Sequence, residues 1–341
     1  MRISVVGAGS WGTTLASLFS DRNETILWAR DPGLAEEIAL RHHNPVYLEG
    51  HRLSPSLRAT DDLGASLEGA DVVVVAVPSR FFRNVVESAR PFVPQTADVV
   101  SVAKGIEVGT GARMSEVLAE VLGADVGRIS ALTGPNLAKE VLAKQPSATV
   151  LACADAERAE RLQRAMTTDW FRVFTNRDLV GCEIGGAVKN VIAIAAGIGD
   201  GLGYGWNTKA ALITRGLAEI ARLGVALGAN PITFLGLAGY GDLTATCSSP
   251  QSRNRHVGEG LGAGRPLSEI IGAMNMVAEG VTTTPAIAEL ARRHHVPMPI
   301  TRKVAAVLGG TLSPAEAVLQ LMTYEPGSEL GDLVPMVPPQ G

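Results

Sequence analysis

A lysine lies inside a long, mostly apolar stretch near the middle of the chain, GGAVKNVIAIAAGIGDGLG (185–203). If residues 185–198 form one helix, three of the four residues lying three or four positions from Lys189 are glycine or alanine. Such small neighbours would let a planar ring or a three-carbon substrate approach the ammonium. Burial disfavours the charged form of an amine, so Lys189 could donate and accept a proton near neutral pH. The alternative is a structural lysine at the edge of a core, with its ammonium in solvent.

A glycine-rich turn stands near the N-terminus, where GAGSWG (7–12) follows the strand-like run RISVV and precedes a helical stretch. The pattern G-x-G-x-x-G between a strand and a helix is typical of a dinucleotide-binding turn. In that role Gly7 permits the tight turn, Gly9 lets the backbone approach a pyrophosphate, and Gly12 allows close packing of helix on strand. A turn with a purely structural purpose is the alternative.

The end of the second strand favours one nicotinamide cofactor over the other. An acidic residue there accepts hydrogen bonds from the 2′-hydroxyl of NAD, whereas an arginine accommodates the 2′-phosphate of NADP. In this chain the strand ends Trp28-Ala29-Arg30, and Asp31 comes one position later. We therefore predict NADP(H) as the preferred cofactor and NAD(H) as the second option. A solvated arginine at the start of a loop is the alternative.

A second cationic segment, SRNRHVGEG, offers Arg253 and Arg255 together with the neutral donors Ser252 and Asn254. A guanidinium can meet two phosphate oxygens in a bidentate fork, which supplies geometry as well as charge. The segment therefore predicts a phosphate-binding site, although a solvated loop has a similar composition.

The predicted secondary structure that positions these residues changes along the chain, from strands separated by helices to helices alone. Valine-rich runs with little alternation are typical of parallel strands covered on both faces, and helical stretches separate them. The predicted strands cover 2–6, 24–30, 71–79, 98–105, 128–135 and 147–153. Beyond about Val180 the pattern is helical, with predicted helices over 209–228, 284–295 and 313–322, the last two opening with Thr or Ser before proline.

These patterns predict an α/β fold, in which an N-terminal Rossmann-type doubly wound parallel sheet is followed by an all-α substrate domain. We expect a dinucleotide-binding domain over residues 1–180 and a helical substrate and catalytic domain over 181–325. Residues 326–341 are rich in proline and glycine, which predicts a loose C-terminal tail.

Composition excludes several classes of function. The formal net charge of −4 gives no reason to expect a nucleic-acid partner. The three cysteines lie far apart without a CxxC pair, and the histidines show no metal-ligand spacing, so we predict neither a disulfide framework nor a metal site. The N-terminus leads directly into a strand, and we expect no signal peptide, no membrane span and a cytoplasmic protein.

Besides the stretch around Lys189 and the glycine turn, the chain contains the motifs NPVYL (44–48), AVPS (76–79), AKGIE (103–107), TGPNLAKEV (133–141), NTKAALITRGL (207–217) and LAGYGDLTATCSSPQSRNRHVGEGL (237–261). Together these motifs resemble those of the bacterial NAD(P)-dependent glycerol-3-phosphate dehydrogenase family. The resemblance extends over nearly the whole chain to about Tyr324. It implies an oxidoreductase that interconverts dihydroxyacetone phosphate and sn-glycerol 3-phosphate for phospholipid synthesis, a part of lipid metabolism. Helical domains of this kind often pair, which suggests a homodimer.

The resemblance also implies roles for individual residues, beginning with Lys189 as the proton donor and acceptor. Substrate-binding roles fall on Lys104, Gly134, Asn136, Asp242, Ser252, Arg253 and Asn254. Cofactor-binding roles fall on Gly7, Gly9, Ser10, Trp11, Gly12, Arg30, Lys104, Ala138, Arg253, Val277 and Glu279. Two positions depart from the family pattern: Glu49 replaces a common proline, and Asn136 stands where serine or threonine is usual.

Two other interpretations compete with this one. A 6-phosphogluconate- or 3-hydroxyacid-type dehydrogenase also joins a dinucleotide domain to a helical domain that carries a lysine, but the segments around Asp242 and Arg253 favour the glycerol phosphate enzyme. A nicotinamide-binding regulatory module without turnover would leave those polar side chains idle.

Overall fold

The computed structural model describes residues 1–274 and 278–323 of the 341-residue chain. The chain divides into two compact units. Unit 1 comprises Met1–Lys104 and Ala112–Leu179, and unit 2 comprises Gly105–Gly111 and the described residues from Val180 onward. The expected tail over 326–341 and the predicted cofactor residue Val277 lie outside the described residues.

Unit 1 contains a single eight-stranded sheet in the order β3-β2-β1-β4-β5-β6-β7-β8. Its strands are β1 Arg2–Val6, β2 Glu24–Trp28, β3 Arg58–Thr60, β4 Val72–Val75, β5 Asp98–Ser101, β6 Ile129–Thr133, β7 Ser147–Cys153 and β8 Phe171–Asn176. Its helices are α1 Ser10–Phe19, α2 Pro32–Arg41, α3 Leu63–Leu67, α4 Ser79–Ala89, α5 Met114–Leu122, α6 Ala138–Leu142 and α7 Ala156–Met166.

The valine run of β4 shows why these strands are parallel and central. Val72 and Val74 belong to one hydrophobic cluster, while Val73 and Val75 belong to another, and all four are at most 4% exposed. Both faces of the strand are therefore covered by apolar side chains, as the continuous valine run predicted. The predicted doubly wound α/β sheet is confirmed.

The sheet departs from the predicted parallel arrangement at one pair of strands. β7 runs antiparallel to β6, with Thr133 opposite Val150. The connection between them contains the short helix α6, whose first carbonyl accepts a hydrogen bond from Thr14 Oγ1 of α1 (3.4 Å). The chain therefore re-enters the sheet at the end from which it left, without a full crossover.

Two further strands, β3 and β8, were not predicted from the sequence. β3 has three residues, too few for a periodic signal. β8 alternates between buried and exposed residues at its start, because Phe171 and Val173 face the core while Arg172 and Phe174 face outward. A strand with one solvated face lacks the continuous apolar run of the central strands.

The described residues of unit 2 form helices and no strand, which confirms the predicted all-α character. The helices are α8 Leu179–Gly201, α9 Trp206–Ala226, α10 Asp242–Ser248, α11 Arg253–Gly262, α12 Leu267–Gly272, α13 Glu279–Arg293, α14 Pro299–Leu308 and α15 Pro314–Met322. A 3-10 helix, Pro231–Leu235, and a π-helix, Leu237–Gly241, connect α9 to α10.

One predicted helix start is confirmed and another was wrong. Ser313 caps α15 in a capping box with Glu316, as the Ser-Pro signal predicted. The Thr284-Pro285 pair, by contrast, lies inside α13, which begins at Glu279. Proline lacks the N–H that would donate the next helical hydrogen bond, yet the helix continues through Pro285. The hydroxyls of Thr283 and Thr284 donate to the carbonyls of Glu279 and Gly280, one turn earlier.

Glycines let α8 and α11 pack backbone against backbone. A Cβ on Gly197 would lie 2.0 Å from the Arg255 carbonyl oxygen, and a Cβ on Gly258 would lie 2.0 Å from that of Ile194. Any larger residue at either position would separate the two helices. This close packing places the start of α11 beside the second half of α8, which follows Lys189.

Helix α8 is the one helix in residues 1–274 and 278–323 that is long and apolar enough to cross a membrane. However, 89% of its most apolar window is buried inside the protein. Its side chains from Ile184 to Ile198 contribute to the hydrophobic core of unit 2. Burial of this extent is what the core helix of a folded domain shows, so its length and composition are weak evidence for a membrane span.

Candidate active site

The glycine turn of unit 1 has the geometry that its sequence required. Gly7 has φ +116°, and a Cβ on it would lie 2.7 Å from the Ala76 carbonyl oxygen. A Cβ on Gly12 would lie 2.0 Å from the Gly7 carbonyl oxygen, so neither position accepts a side chain. A Cβ on Gly9 would meet nothing within 4 Å. The turn is thus closed by Gly7 and Gly12 and open at Gly9, which fits a backbone approached by a pyrophosphate.

Ser10 and Trp11 begin helix α1, directly after the N-cap residue Gly9. No side chain caps this helix end, so its first N–H groups remain available to an anion. The Trp11 ring packs against Phe171 with 6.2 Å between ring centroids. Ala138 lies close to the same helix, because Thr14 Oγ1 donates both to Ser10 O (2.8 Å) and to Ala138 O (3.4 Å).

Arg30 and Asp31 follow strand β2, and the structure separates their roles. Asp31 caps α2, and its Oδ1 accepts the N–H of Leu34 (2.8 Å). Arg30 is exposed and forms neither an ion pair nor a hydrogen bond with the described residues. The Asp31 carboxylate, which could otherwise bind a ribose hydroxyl, is therefore occupied by the helix cap. The neighbouring Arg30 guanidinium can bind a ligand.

Strands β5 and β6 place a third group of the predicted residues together. Lys104 Nζ donates to the Gly134 carbonyl oxygen (2.8 Å). Gly134 has φ +141°, a conformation that favours glycine. Asn136 Nδ2 donates to Thr149 Oγ1 (2.9 Å), and that hydroxyl donates to Thr133 O (2.8 Å). The unusual asparagine is thus held in place by Thr149, a residue that sequence reasoning had not selected.

Lys189 lies in unit 2 and is almost fully buried, with 5% of its surface exposed. Its Nζ donates to Asp242 Oδ1 (2.5 Å) and to Thr246 Oγ1 (2.6 Å). Thr246 Oγ1 in turn donates to the Asp242 carbonyl oxygen (2.7 Å). This burial excludes the interpretation of Lys189 as an edge-of-core lysine with its ammonium in bulk solvent. The charge is neutralised inside the protein by the Asp242 carboxylate.

The pairing of Lys189 depends on helices far apart in sequence. Lys189 comes from α8, whereas Asp242 and Thr246 lie one turn apart on α10. Sequence reasoning assigned no role to Thr246, although its position four residues after Asp242 is the spacing that places two side chains on one helix face. Cys247 follows it, and burial raises the pKa of this thiol to about 12, so the thiol stays protonated at neutral pH.

A network of amides lies next to this ion pair. Asn254 Nδ2 donates to Asn190 Oδ1 (2.9 Å), and Asn254 Oδ1 accepts the N–H of Gly280 (3.0 Å). Asn254 thereby connects α8, α11 and the first turn of α13, where the predicted cofactor residue Glu279 lies. Asn190, like Thr149 and Thr246, received no role from the sequence, although it directly follows Lys189.

The two arginines of the SRNR segment have different environments. Ser252 caps α11, and its Oγ accepts the N–H of Arg255 (3.3 Å). Arg255 Nε donates to Asp200 Oδ2 (2.6 Å), and Lys209 Nζ binds the same carboxylate. Arg253 is exposed and has no ion-pair partner among the described residues. Arg255 is therefore a structural cation, and Arg253 is the guanidinium available to an anion.

Within residues 1–274 and 278–323, no group of three or more His, Cys, Asp or Glu side chains could hold a metal ion. The polar clusters described above consist of lysine, arginine, amide and hydroxyl groups with single carboxylates.

Comparisons with known proteins bear on both units. Residues 2–159 match the family model described as NAD-dependent glycerol-3-phosphate dehydrogenase N-terminus, and residues 178–319 match the corresponding C-terminus. The glycerol-3-phosphate dehydrogenase [NAD(P)+] of Thermobifida fusca is 51% identical over 325 residues, which is 94% of this chain and 96% of that protein. The one from Corynebacterium glutamicum is 53% identical over 322 residues, 94% and 97% of the two chains. The crystal structure of glycerol-3-phosphate dehydrogenase from Coxiella burnetii superposes with a TM-score of 0.90 at 37% identity, covering 94% of this chain and 98% of that one.

Proposed function

This chain belongs to the NAD-dependent glycerol-3-phosphate dehydrogenase family, and on that premise we propose that it reversibly reduces dihydroxyacetone phosphate to sn-glycerol 3-phosphate. The observation that carries the proposal is the buried contact of Lys189 with Asp242 and Thr246. A secondary alcohol and a ketone differ by a hydride and a proton, so the protein must hold a proton donor where water is excluded.

NAD(P)H, when bound, supplies the hydride that the carbonyl carbon receives. Lys189 donates the proton that the developing alkoxide requires, and in the oxidative direction its neutral amine accepts that proton. Asp242 and Thr246 fix the position of Nζ, and Asp242 also stabilises the ammonium before the transfer. Asn190 and Asn254 order the neighbouring helix starts, so that polar groups around the substrate are held in one arrangement.

Arg253 is the residue that we propose for the phosphate of the substrate. It is exposed and unpaired within the described residues, whereas Arg255 is held by Asp200. Ser252 and Asn254 flank Arg253 in sequence and are both buried, where Ser252 caps α11 and the Asn254 amide bonds Asn190 and the Gly280 N–H. They hold the start of α11, and the exposed Arg253 guanidinium there suits a bidentate contact with a phosphate dianion.

For the cofactor we propose a preference for NADP(H) over NAD(H). The relatives named above carry both cofactors in their names. Support for the narrower preference comes from Arg30, which has no partner in the described residues, and from Asp31, whose carboxylate caps α2. We assign the glycine turn, Ser10, Trp11, Lys104 and Ala138 to the same cofactor. Gly134 and Asn136 belong with Lys104 to the substrate-binding set.

The remaining proposals rest on the family resemblance. We propose that residues 1–180 form the dinucleotide domain and 181–325 the substrate domain. We also propose that the protein acts as a cytoplasmic homodimer whose product serves phospholipid synthesis. Light scattering of the purified protein would measure the number of subunits, and a monomer at all concentrations would contradict the dimer.

The test of the function is the loss of NADPH absorbance on addition of dihydroxyacetone phosphate, repeated with NADH. We expect turnover with both cofactors and a higher kcat/KM for NADPH. A folded protein that binds NADPH but shows no substrate-dependent loss of absorbance would instead be a binding module. Turnover of 6-phosphogluconate or a 3-hydroxyacid in place of the triose phosphate would assign it to a different dehydrogenase.

A further inference from the structure

The motif NPVYL has no part in the substrate and cofactor sets described above, although it lies directly against the glycine turn. It follows helix α2, and its first residue, Asn44, is 0% exposed. A fully buried carboxamide is costly unless all its polar atoms are bonded. The bonds that Asn44 makes therefore indicate why this amide is inside unit 1.

Asn44 forms hydrogen bonds to three residues. Its Nδ2 donates to Ala8 O (3.1 Å) and to Thr13 Oγ1 (2.9 Å), while its Oδ1 accepts the N–H of Tyr47 (3.0 Å). Ala8 O can only accept and the Tyr47 N–H can only donate, so the orientation of the amide is fixed. One side chain thus connects the residue before Gly9 with the residue after Gly12.

This contact determines the direction of a backbone N–H in the glycine turn. The carbonyl of Ala8 and the N–H of Gly9 belong to one peptide group, which is trans, so the two groups point in opposite directions. Because the carbonyl points to Asn44 in the interior, the Gly9 N–H points away from it. That N–H forms no hydrogen bond within the described part of the chain, and a Cβ on Gly9 would meet nothing within 4 Å.

We propose that Asn44 is a positioning residue for the cofactor: it holds the Ala8–Gly9 peptide so that the Gly9 N–H faces the pyrophosphate. The proposal rests on the proposed use of a nicotinamide dinucleotide. Asn44 is 0% exposed and therefore acts through the peptide that it holds. Its effect is to pre-organise a donor, which lowers the conformational cost of binding.

Replacement of the amide by a carboxylate separates this role from a purely structural one. Asn44→Asp keeps the shape and still accepts from Tyr47, but it presents an oxygen to Ala8 O in place of a donor. We expect the Kd for NADPH, measured by fluorescence titration without substrate, to rise about tenfold or more. The KM for dihydroxyacetone phosphate at saturating NADPH should stay within about threefold of the parent. As the pH falls, protonation of the introduced carboxylate restores one donor, so NADPH binding by this variant should improve relative to the parent.

A second variant and a matched control keep the test decisive. Asn44→Ser introduces no buried charge and retains one donor. It should also raise the Kd for NADPH, and it takes the place of Asn44→Asp in the test if that variant does not fold. Asn23 makes similar bonds, from Nδ2 to Phe19 O (3.2 Å) and Ala165 O (3.0 Å), in the same unit but away from the turn. Asn23→Asp should lower the melting temperature and leave the NADPH Kd unchanged.

The outcomes for the two proposals are distinct. If Asn44→Asp or Asn44→Ser melts at a lower temperature but binds NADPH as the parent does, Asn44 is only structural and the inference is overturned. If the parent binds NADPH but does not reduce dihydroxyacetone phosphate, the proposed function fails, while the binding data still test Asn44.

Discussion

The Lys189 ammonium lies 2.5 Å from the Asp242 carboxylate, and the two residues are only 5% and 1% exposed. A buried ion pair contributes little net stability, because both charges lose their hydration. Removal of one partner, however, leaves the other charge buried without compensation. The pair therefore links catalysis and stability, and variants of its two members should separate the two effects.

We expect Lys189→Met to lower turnover by about two to four orders of magnitude, the contribution of general acid–base catalysis. NADPH binding should survive, because the glycine turn and Arg30 belong to unit 1. Steady-state kinetics and an NADPH titration on the same sample measure both quantities. Turnover within about threefold of the parent would remove Lys189 from the mechanism and make Lys104 the next candidate.

Stability should respond to the same substitution. Lys189→Met leaves the Asp242 carboxylate buried without the ammonium that neutralises it, at a cost of about 3–5 kcal/mol in the free energy of unfolding. The double variant Lys189→Met/Asp242→Asn should recover part of this loss while remaining inactive. Chemical denaturation of the parent, the two single variants and the double variant gives the coupling energy, for which we expect about 0.5–3 kcal/mol. Strictly additive effects would mean that the two side chains do not interact.

Arg253→Ala should raise the KM for dihydroxyacetone phosphate much more than it changes the melting temperature. Arg253→Lys should rescue binding only in part, since an ammonium cannot form the bidentate contact of a guanidinium. The matched control is Arg255→Ala, which deprives Asp200 of its 2.6 Å contact and should act mainly on stability. The reverse pattern, with KM sensitive to Arg255 alone, would transfer the phosphate to that residue.

Arg30→Asp should weaken NADPH at least about tenfold and spare or improve NADH, because an ionic hydrogen bond contributes about 1.5–3 kcal/mol. The neighbouring variant Asp31→Asn is the control, as asparagine caps a helix about as well as aspartate. It should leave both cofactor affinities unchanged. Equal NADPH affinity of Arg30→Asp and the parent would show that the guanidinium does not contact the cofactor.

Local patterns in the sequence determined the features that depend on neighbouring residues. The glycine spacing at 7–12 predicted the turn, because Gly7 and Gly12 each leave no space for a Cβ. The valine run at 72–75 predicted a strand with two covered faces, and the apolar stretch around Lys189 predicted a buried helix. These features follow from backbone sterics and hydrophobic periodicity, which act over a few residues.

Only the tertiary structure decided which polar groups meet. Lys189 contacts Asp242 and Thr246, which lie 53 and 57 positions away, and Asn44 holds Ala8 across 36 positions. The same holds for Arg255, whose partner Asp200 is 55 positions away and leaves Arg253 available to a ligand. Such pairings depend on how helices and strands pack, because a hydrogen bond requires its two atoms to approach within about 3 Å. Composition and spacing along the chain do not specify which distant residues meet this condition.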